Sequence, residues 1–317
     1  VTAFDSSPNG NNGAVNGAAW MTGKVAGGLR FDGVNDQVQI PNSASLSLST
    51  NRVTFAGWVN LTSVSNGWLT VIQRSNTNAS WYDWQFYARA ADAPTPNHPV
   101  FRIDWNKNGV TDANEQVQGD IALQANTWYF LTVTYDGAAL KFYIDGTLRG
   151  TTNVSGGVIP ASNRAIWLGG NDAWGEYFPG TIDEFRIYNR ALNQTEIQSL
   201  MSQTAYSVGL LPGWNMVSFN LHPLSTDVAS VLSSLAGSYD LVYAWDATGA
   251  HAVSGNWLKA DNIPASPDTL ATLDETAGFW VHMTAADTLT MTGSVPASTN
   301  ISLLDNAGGW NLVGYPS

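Results

Sequence analysis

The sequence predicts a mainly β protein: an antiparallel β-sandwich over residues 1–205, then a smaller β-rich unit with one short helix over residues 206–317. Three observations predict it. Apolar and polar residues alternate in many short runs. Gly, Asn, Asp and Pro punctuate those runs at regular spacing. Near residue 206 the character changes, and a GWN motif appears that returns at the end of the chain.

In the first part, QVQI (37–40), VTFAGWVNL (53–61), WLTVIQR (68–74), WQFYAR (84–89), WYFLTVTYD (128–136), LKFYIDG (140–146), AIWLGG (165–170) and IDEFRIYNR (182–190) read as strands. In LKFYIDG, period two turns Leu140, Phe142 and Ile144 toward a core and Lys141 and Tyr143 away from it. Asp145-Gly146 is a hairpin-turn pair. Asn193 and Glu196 form a capping box for a short helix with Ile197, Leu200 and Met201 on one face. In the second part, LLPGWNMVSFNL (210–221) and GGWNLVGYPS (308–317) are near copies. Between them, Ser225 or Thr226 caps a helix whose apolar face is Val228, Val231, Leu232 and Leu235, and Gly237 ends it. LVYAWD (241–246), GFWVHM (278–283), TLTMTG (288–293) and ISLL (301–304) follow as strands.

Composition narrows the function. Charged residues make up 12% and the net charge is −12, which argues against nucleic acid and anionic membranes as partners. There is no cysteine and no apolar run long enough to span a membrane. A cysteine-free, Asn/Gly/Ser/Thr-rich chain is compatible with a bacterial exported protein that does without disulfides. The start at Val1 without Met reads as a segment of something longer.

DWNKNGVTDANE (104–115) has the spacing of a calcium loop. Oxygen ligands fall at Asp104, Asn106 and Asn108, a turn at Gly109, a backbone carbonyl at Val110, a water-mediated position at Asp112 and a bidentate carboxylate at Glu115. A polar hairpin loop is the plainer reading, since turns use the same residues. Coordination needs the oxygen-rich turn and not flanking helices, so a β-sandwich can carry it. Calcium is therefore the expected cofactor, in a stabilising role.

Five stretches, in order, carry a family resemblance: Asp5-Ser6-Ser7 followed by PNGNNGAVNGAAW (8–20), GKVAGGLRFDGVNDQVQIP, TFAGWV, WYFLTVTYDGAALKFYIDG and GTIDEFRIYNRALNQTEI. Together they resemble a laminin-G-like, concanavalin-A-like jelly-roll domain over nearly all of residues 1–205. The resemblance implies two stacked antiparallel sheets and an extracellular or cell-surface setting. It also implies a second calcium set, Asp5, Asn9 and Asn12 with Asp183, with Asp32 and Asp36 as further acids; Asn-Gly and Asp-Gly turns are the alternative. The strand that usually precedes the loop beginning at Asp5 is missing here, so a sheet edge is expected to be empty or filled from elsewhere. Residues 206–317 resemble a "GWNLVGYPS"-type module of large bacterial surface proteins.

Catalysis is not expected. The adjacent acids Asp183 and Glu184 would alternate to opposite faces of a strand, a poor pair for glycoside hydrolysis. The four histidines, His98, His222, His251 and His282, lack zinc-ligand spacing. The chain does hold 14 Trp, whose rings can stack on sugar faces. Two loops suit that: Trp81, Tyr82, Asp83 and Trp84, and Asn171, Asp172, Trp174, Glu176 and Tyr177. Trp58, Trp128 and Trp167 read as core, and Trp214 and Trp310 as structural. The expected function is a non-catalytic surface or adhesion module that binds a glycan or another surface ligand. The alternative is a subunit of an extracellular filament, sheath or surface layer that self-assembles through sheet edges. A hydrolase comes third.

Overall fold

The computed structural model describes the chain apart from residues 8, 26, 49, 65–66, 76–81, 106–111, 113–114, 155–156, 160, 172, 246–256, 262–268 and 295–317. Two compact units form, Val1–Met201 and Ser202–Ser317. The second begins ahead of the compositional change at 206, because Gln203–Leu210 is one continuous strand.

The first unit is two antiparallel sheets with a core between them. The eight-stranded sheet runs β1 (Thr2–Ala3), β2 (Gly13–Asn16), β5 (Gln37–Ile40), β14 (Ile166–Leu168), β7 (Leu69–Ser75), β8 (Tyr82–Ala90), β9 (His98–Ile103), β10 (Gln116–Gln118). The seven-stranded sheet runs β13 (Thr147–Asn153), β12 (Ala139–Ile144), β11 (Trp128–Tyr135), β6 (Val53–Leu61), β17 (Pro179–Tyr188), β4 (Gly27–Asp32), β3 (Ala19–Thr22). A small hairpin, β15 (Gly170–Asn171) and β16 (Glu176–Tyr177), stands beside them. The edge expected to be empty holds the two-residue β1, paired as Thr2 with Ala14 and Ala3 with Gly13.

Alternation explains the core. Leu140, Phe142 and Ile144 point inward with Phe55, Trp84, Phe86 and Phe101. Tyr143 does face the other way, yet it is buried. Helix α1 (Gln194–Met201) covers that side, and Ile197 and Leu200 pack there with Trp58 and Phe130. The helix starts as the capping box predicts: Glu196 N–H donates to Asn193 Oδ1 at 3.0 Å and Asn193 N–H to Glu196 Oε2 at 2.8 Å. Asp145 and Gly146 take φ of 50° and 69°, the turn their pairing requires.

Gly169 couples β14 to the core. Its φ is +81°, and a Cβ there would overlap the Phe31 ring. Left-handed backbone and overpacking each cost roughly 1–3 kcal/mol. Gly169→Ala is therefore expected to destabilise the first unit by about 2–5 kcal/mol, read from urea unfolding midpoints.

The second unit has a three-stranded sheet, β18 (Gln203–Leu210), β24 (Asp287–Ser294), β20 (His222–Pro223), and a four-stranded one, β19 (Gly213–Val217), β23 (Phe279–Met283), β21 (Tyr239–Trp245), β22 (Trp257–Asp261). The expected helix is shorter than its apolar spacing suggests. It is α2 (Val228–Val231) followed by a 3-10 turn at Ser233–Leu235, and Asp227 caps it in place of Ser225 or Thr226, accepting from Ser230 N–H at 2.9 Å. Val228, Val231, Leu232 and Leu235 are all buried in this unit's core. ISLL, Trp310 and the second GWN copy lie outside the described residues.

Candidate functional site

The loop at 104–115 joins β9 to β10 at one edge of the eight-stranded sheet. Asn106, Asn108 and Val110 lie outside the described residues. Asp104 and Glu115 are 0% and 2% exposed. Glu115 ties the loop's two ends: Oε1 accepts Trp105 N–H at 3.2 Å and Oε2 accepts Asp112 N–H at 2.9 Å. Asp104 N–H donates to the Asp83 carbonyl on β8 at 3.1 Å. Burial pushes the Glu115 carboxyl up, and the nearby Asp112 and Asp104 push in the same direction, against its backbone hydrogen bonds. Two buried acids, with a third near Glu115, offer oxygen donors only. That fits a hard cation such as calcium, whose charge would offset the repulsion. Among the described residues, no group of three or more His, Asp or Glu is arranged to hold a metal.

The raised Glu115 sets a pH dependence. Without calcium the folded chain binds this proton more tightly than the unfolded chain. Stability then falls as pH rises from the ordinary Glu value through the folded one. Glu176, Asp183 and Glu184 are also raised by burial. The Glu115 share is thus the difference between wild type and Glu115→Gln in chelator, with the variant expected to lose less stability between about pH 4 and pH 7.

The residues of the second calcium set are engaged in local hydrogen bonds. Asp5 organises its own loop, accepting from Ser7 N–H at 2.9 Å and Asn11 N–H at 2.8 Å, while Asn12 Oδ1 accepts Asp5 N–H at 2.8 Å. Asn9 bonds Ser7. Asp183 lies on β17, where Oδ2 accepts Val25 N–H at 2.8 Å. Asp32 and Asp36 brace their turn: Asp36 Oδ2 accepts Asp32 N–H, and Asp32 Oδ1 accepts Val34 N–H, both at 2.8 Å. The side chains of Asp183 and Glu184 do not simply alternate. A bulge interrupts β17 between Asp183 and Arg186, with Glu184 at φ 50°. Glu184 pairs with Arg186.

The WYDW reading needs correction. Trp81 lies outside the described residues, and Tyr82 and Trp84 are 6% and 0% exposed. These residues belong to β8, a strand buried along nearly its whole length, which leaves neither ring in solvent. Trp84 packs against Phe55 at 4.6 Å in the core, with the rings tilted by 48°. Asp83 is buried and pairs with Arg164 at 3.2 Å. Trp58 is buried as expected, whereas Trp128 and Trp167 are half-buried.

Trp167 belongs to the outer face of the eight-stranded sheet. There Gln39, Trp167, Gln73, Gln85, Arg102 and Gln116 stand side by side on six successive strands. Gln85 donates to Gln73 at 3.3 Å, and Arg102 pairs with Asp92 at 2.6 Å beneath Trp68. Sequence reading missed this row, although its signal is the period-two placement of Gln37, Gln39, Gln73, Gln85 and Gln116. At one end of β14, Asn42, Ser47, Ser162, Asn163 and Arg164 line an open recess. At the other end stands the 170–177 hairpin. Its Asn171 is buried, accepts Trp174 N–H at 2.8 Å and donates to Glu176 at 3.2 Å; Glu176 also accepts the Tyr87 hydroxyl at 2.9 Å. Burial raises both Glu176 and Tyr87. Trp174 and Tyr177 are half-exposed, and Asp172 lies outside the described residues.

A laminin-G-type family model, described as the concanavalin A-like lectin/glucanases superfamily, matches residues 32–198, just over half of the chain. The chain belongs to that superfamily. No curated protein matches it. Domain 4 of AbnA, an extracellular GH43 arabinanase from Geobacillus stearothermophilus solved with arabinotriose, is similar at 20% identity and TM-score 0.43 over 60% of this chain and 87% of that one. The binding domain of Paraclostridial Mosquitocidal Protein 1 is similar at 15% identity and TM-score 0.49, over 88% and 72%. An HCR/D mutant reaches TM-score 0.50 at 13% identity, over 71% and 59%. Likeness at these identities concerns the fold alone.

Proposed function

We propose that the chain is a non-catalytic module of an extracellular or cell-surface protein and that its first unit binds an uncharged glycan along β14. One observation carries the reading. A recess of amide and hydroxyl groups, Asn42, Ser47, Ser162 and Asn163, opens where the chain enters β14, the strand that holds the half-buried Trp167 between Gln39 and Gln73. Ring faces stack on sugars, and such polar groups exchange hydrogen bonds with their hydroxyls. The Arg164 charge at this recess is balanced by Asp83, which suits a neutral ligand. Trp174 and Tyr177 extend the surface past the other end of β14.

Calcium at Asp104, Asp112 and Glu115, with Asn106, Asn108 and Val110, would stiffen the neighbouring edge. Asp183 and Glu184 are engaged by Val25 and Arg186, which supports the non-catalytic reading. The "GWNLVGYPS" resemblance of the second unit favours a bacterial surface setting. No helix among the described residues is long and apolar enough to cross a membrane.

Affinity electrophoresis through gels containing neutral polysaccharides tests the reading. Retardation is expected, and Trp174→Ala is expected to weaken it about two- to tenfold per ring lost with an unchanged melting temperature. Equal retardation of wild type, Trp167→Ala and Trp174→Ala would contradict it.

A further inference from the structure

The four-stranded sheet of the second unit has one face in the core and one face outside. Phe279, Val281, Val242, Ala244 and Ala260 point into the core. Alternation turns their neighbours outward: Trp214 and Met216 on β19, Trp280 and His282 on β23, Tyr243 and Trp245 on β21, and Trp257 and Lys259 on β22. Trp214, expected to be structural, packs on neighbouring rings and yet stands on this outer face. Trp214 is 49% exposed, and Trp257 39%.

The outward rings form a continuous strip across the sheet. Trp214 lies 5.9 Å from Tyr243 at an interplanar angle of 30° and 4.9 Å from His282. Tyr243 lies 6.3 Å from Trp257, which meets Trp245 at 5.2 Å. Polar pairs flank the strip: His282 Nδ1 with Asp240 at 2.7 Å, and Lys259 with Asp261 at 2.9 Å.

We propose that this face is a second ligand site, which takes a neutral polysaccharide chain by stacking its sugar rings on Trp214, Tyr243 and Trp257. Three features select that occupant. The near-parallel Trp214 and Tyr243 rings offer a flat surface, and flat C–H faces of sugars match it. The His282–Asp240 and Lys259–Asp261 pairs supply donors and acceptors for hydroxyls, whereas a nucleic acid would face a chain of net charge −12. A second copy of the chain would have to bury Asp240, His282 and Lys259, which are still partly exposed, at a desolvation cost that sugar hydroxyls offset by hydrogen bonding. The site is independent of the one on the first unit.

The test uses the intact chain carrying Trp174→Ala, so that the first unit's site is weakened. Its retention on cellulose, chitin, xylan, mannan and starch is compared with that of the same chain carrying Trp214→Ala or Trp257→Ala. Both side chains are exposed, and melting temperatures check the fold. At least one polysaccharide is expected to retain the Trp174→Ala chain, with each further substitution weakening retention about two- to tenfold. No retention on any of the five, or retention that Trp214→Ala and Trp257→Ala leave unchanged, would overturn the proposal. So would sedimentation showing a dimer that Trp214→Ala separates, which would assign the face to a second copy. If Trp174→Ala has no effect in the wild-type background while Trp214→Ala removes retention, this site stands and the reading of the first unit falls.

Discussion

Chelation of calcium is expected to lower the melting temperature of the first unit by about 5–10 °C. A ligand present at a hundredfold excess over its dissociation constant stabilises the native state by about 2.7 kcal/mol, and each kcal/mol moves the midpoint about 2–4 °C at this domain size. The physical origin is the pair of buried acids, Asp104 and Glu115, with Asp112 beside them. With calcium present, Asp104→Ala combined with Glu115→Ala is expected to reproduce the loss. The doubly substituted chain is then expected to be insensitive to chelator. Its midpoint is also expected to fall somewhat below that of the chelated wild type, because Glu115 additionally braces Trp105 and Asp112. Differential scanning calorimetry with and without chelator reads both effects. An unchanged wild-type midpoint would remove calcium from the account and leave a hairpin loop braced by Glu115 alone.

Trp84→Ala is expected to cost about 3–5 kcal/mol, the range for large aromatic side chains deleted from a core. Trp84 is fully buried and lies 4.6 Å from Phe55, which itself packs on Phe101 at 5.2 Å. Removing the ring would open a cavity that neighbours on two sheets cannot close. The indole N–H is buried with no hydrogen-bond partner among the described residues. Trp84→Phe, which deletes that orphan donor and keeps most of the volume, is therefore expected to cost much less than Trp84→Ala. Urea unfolding measures both. The contrast with Trp174→Ala separates core from site: Trp84→Ala should weaken ligand retention only as far as it unfolds the chain.

The sandwich is legible in the sequence because its strands have one face in a common core. VTFAGWVNL and LKFYIDG carry that pattern, and β6 and β12 form where it predicts. The capping box at Asn193 and the turn at Asp145-Gly146 are legible for a similar reason, since each is fixed by residues close in sequence. Burial on the second face is not local information. Tyr143 is covered by α1, Asp83 is covered by its pairing with Arg164, and Trp84 packs in the core. The WYDW stretch therefore looks like an exposed aromatic loop when read alone. Asp5 and Asp183 both suit calcium by residue type, but Asp5 is taken up by hydrogen bonds within its own loop and Asp183 by the backbone at Val25. The aromatic face of the second unit was open to the same period-two reading, in Trp214 and Met216, Trp280 and His282, and Tyr243 and Trp245. The repeated GWN draws attention to the motif and away from the direction in which Trp214 points.

Glycan binding by the intact chain tests the central claim most directly. Titration calorimetry would be run with oligosaccharides of whichever neutral polysaccharide retains it, in calcium and in chelator, for wild type, Trp167→Ala and Trp174→Ala. The account predicts saturable binding in calcium that weakens in both variants while their melting temperatures stay at the wild-type value. Binding that is equally strong in all three proteins, or absent across neutral glycans, would contradict it.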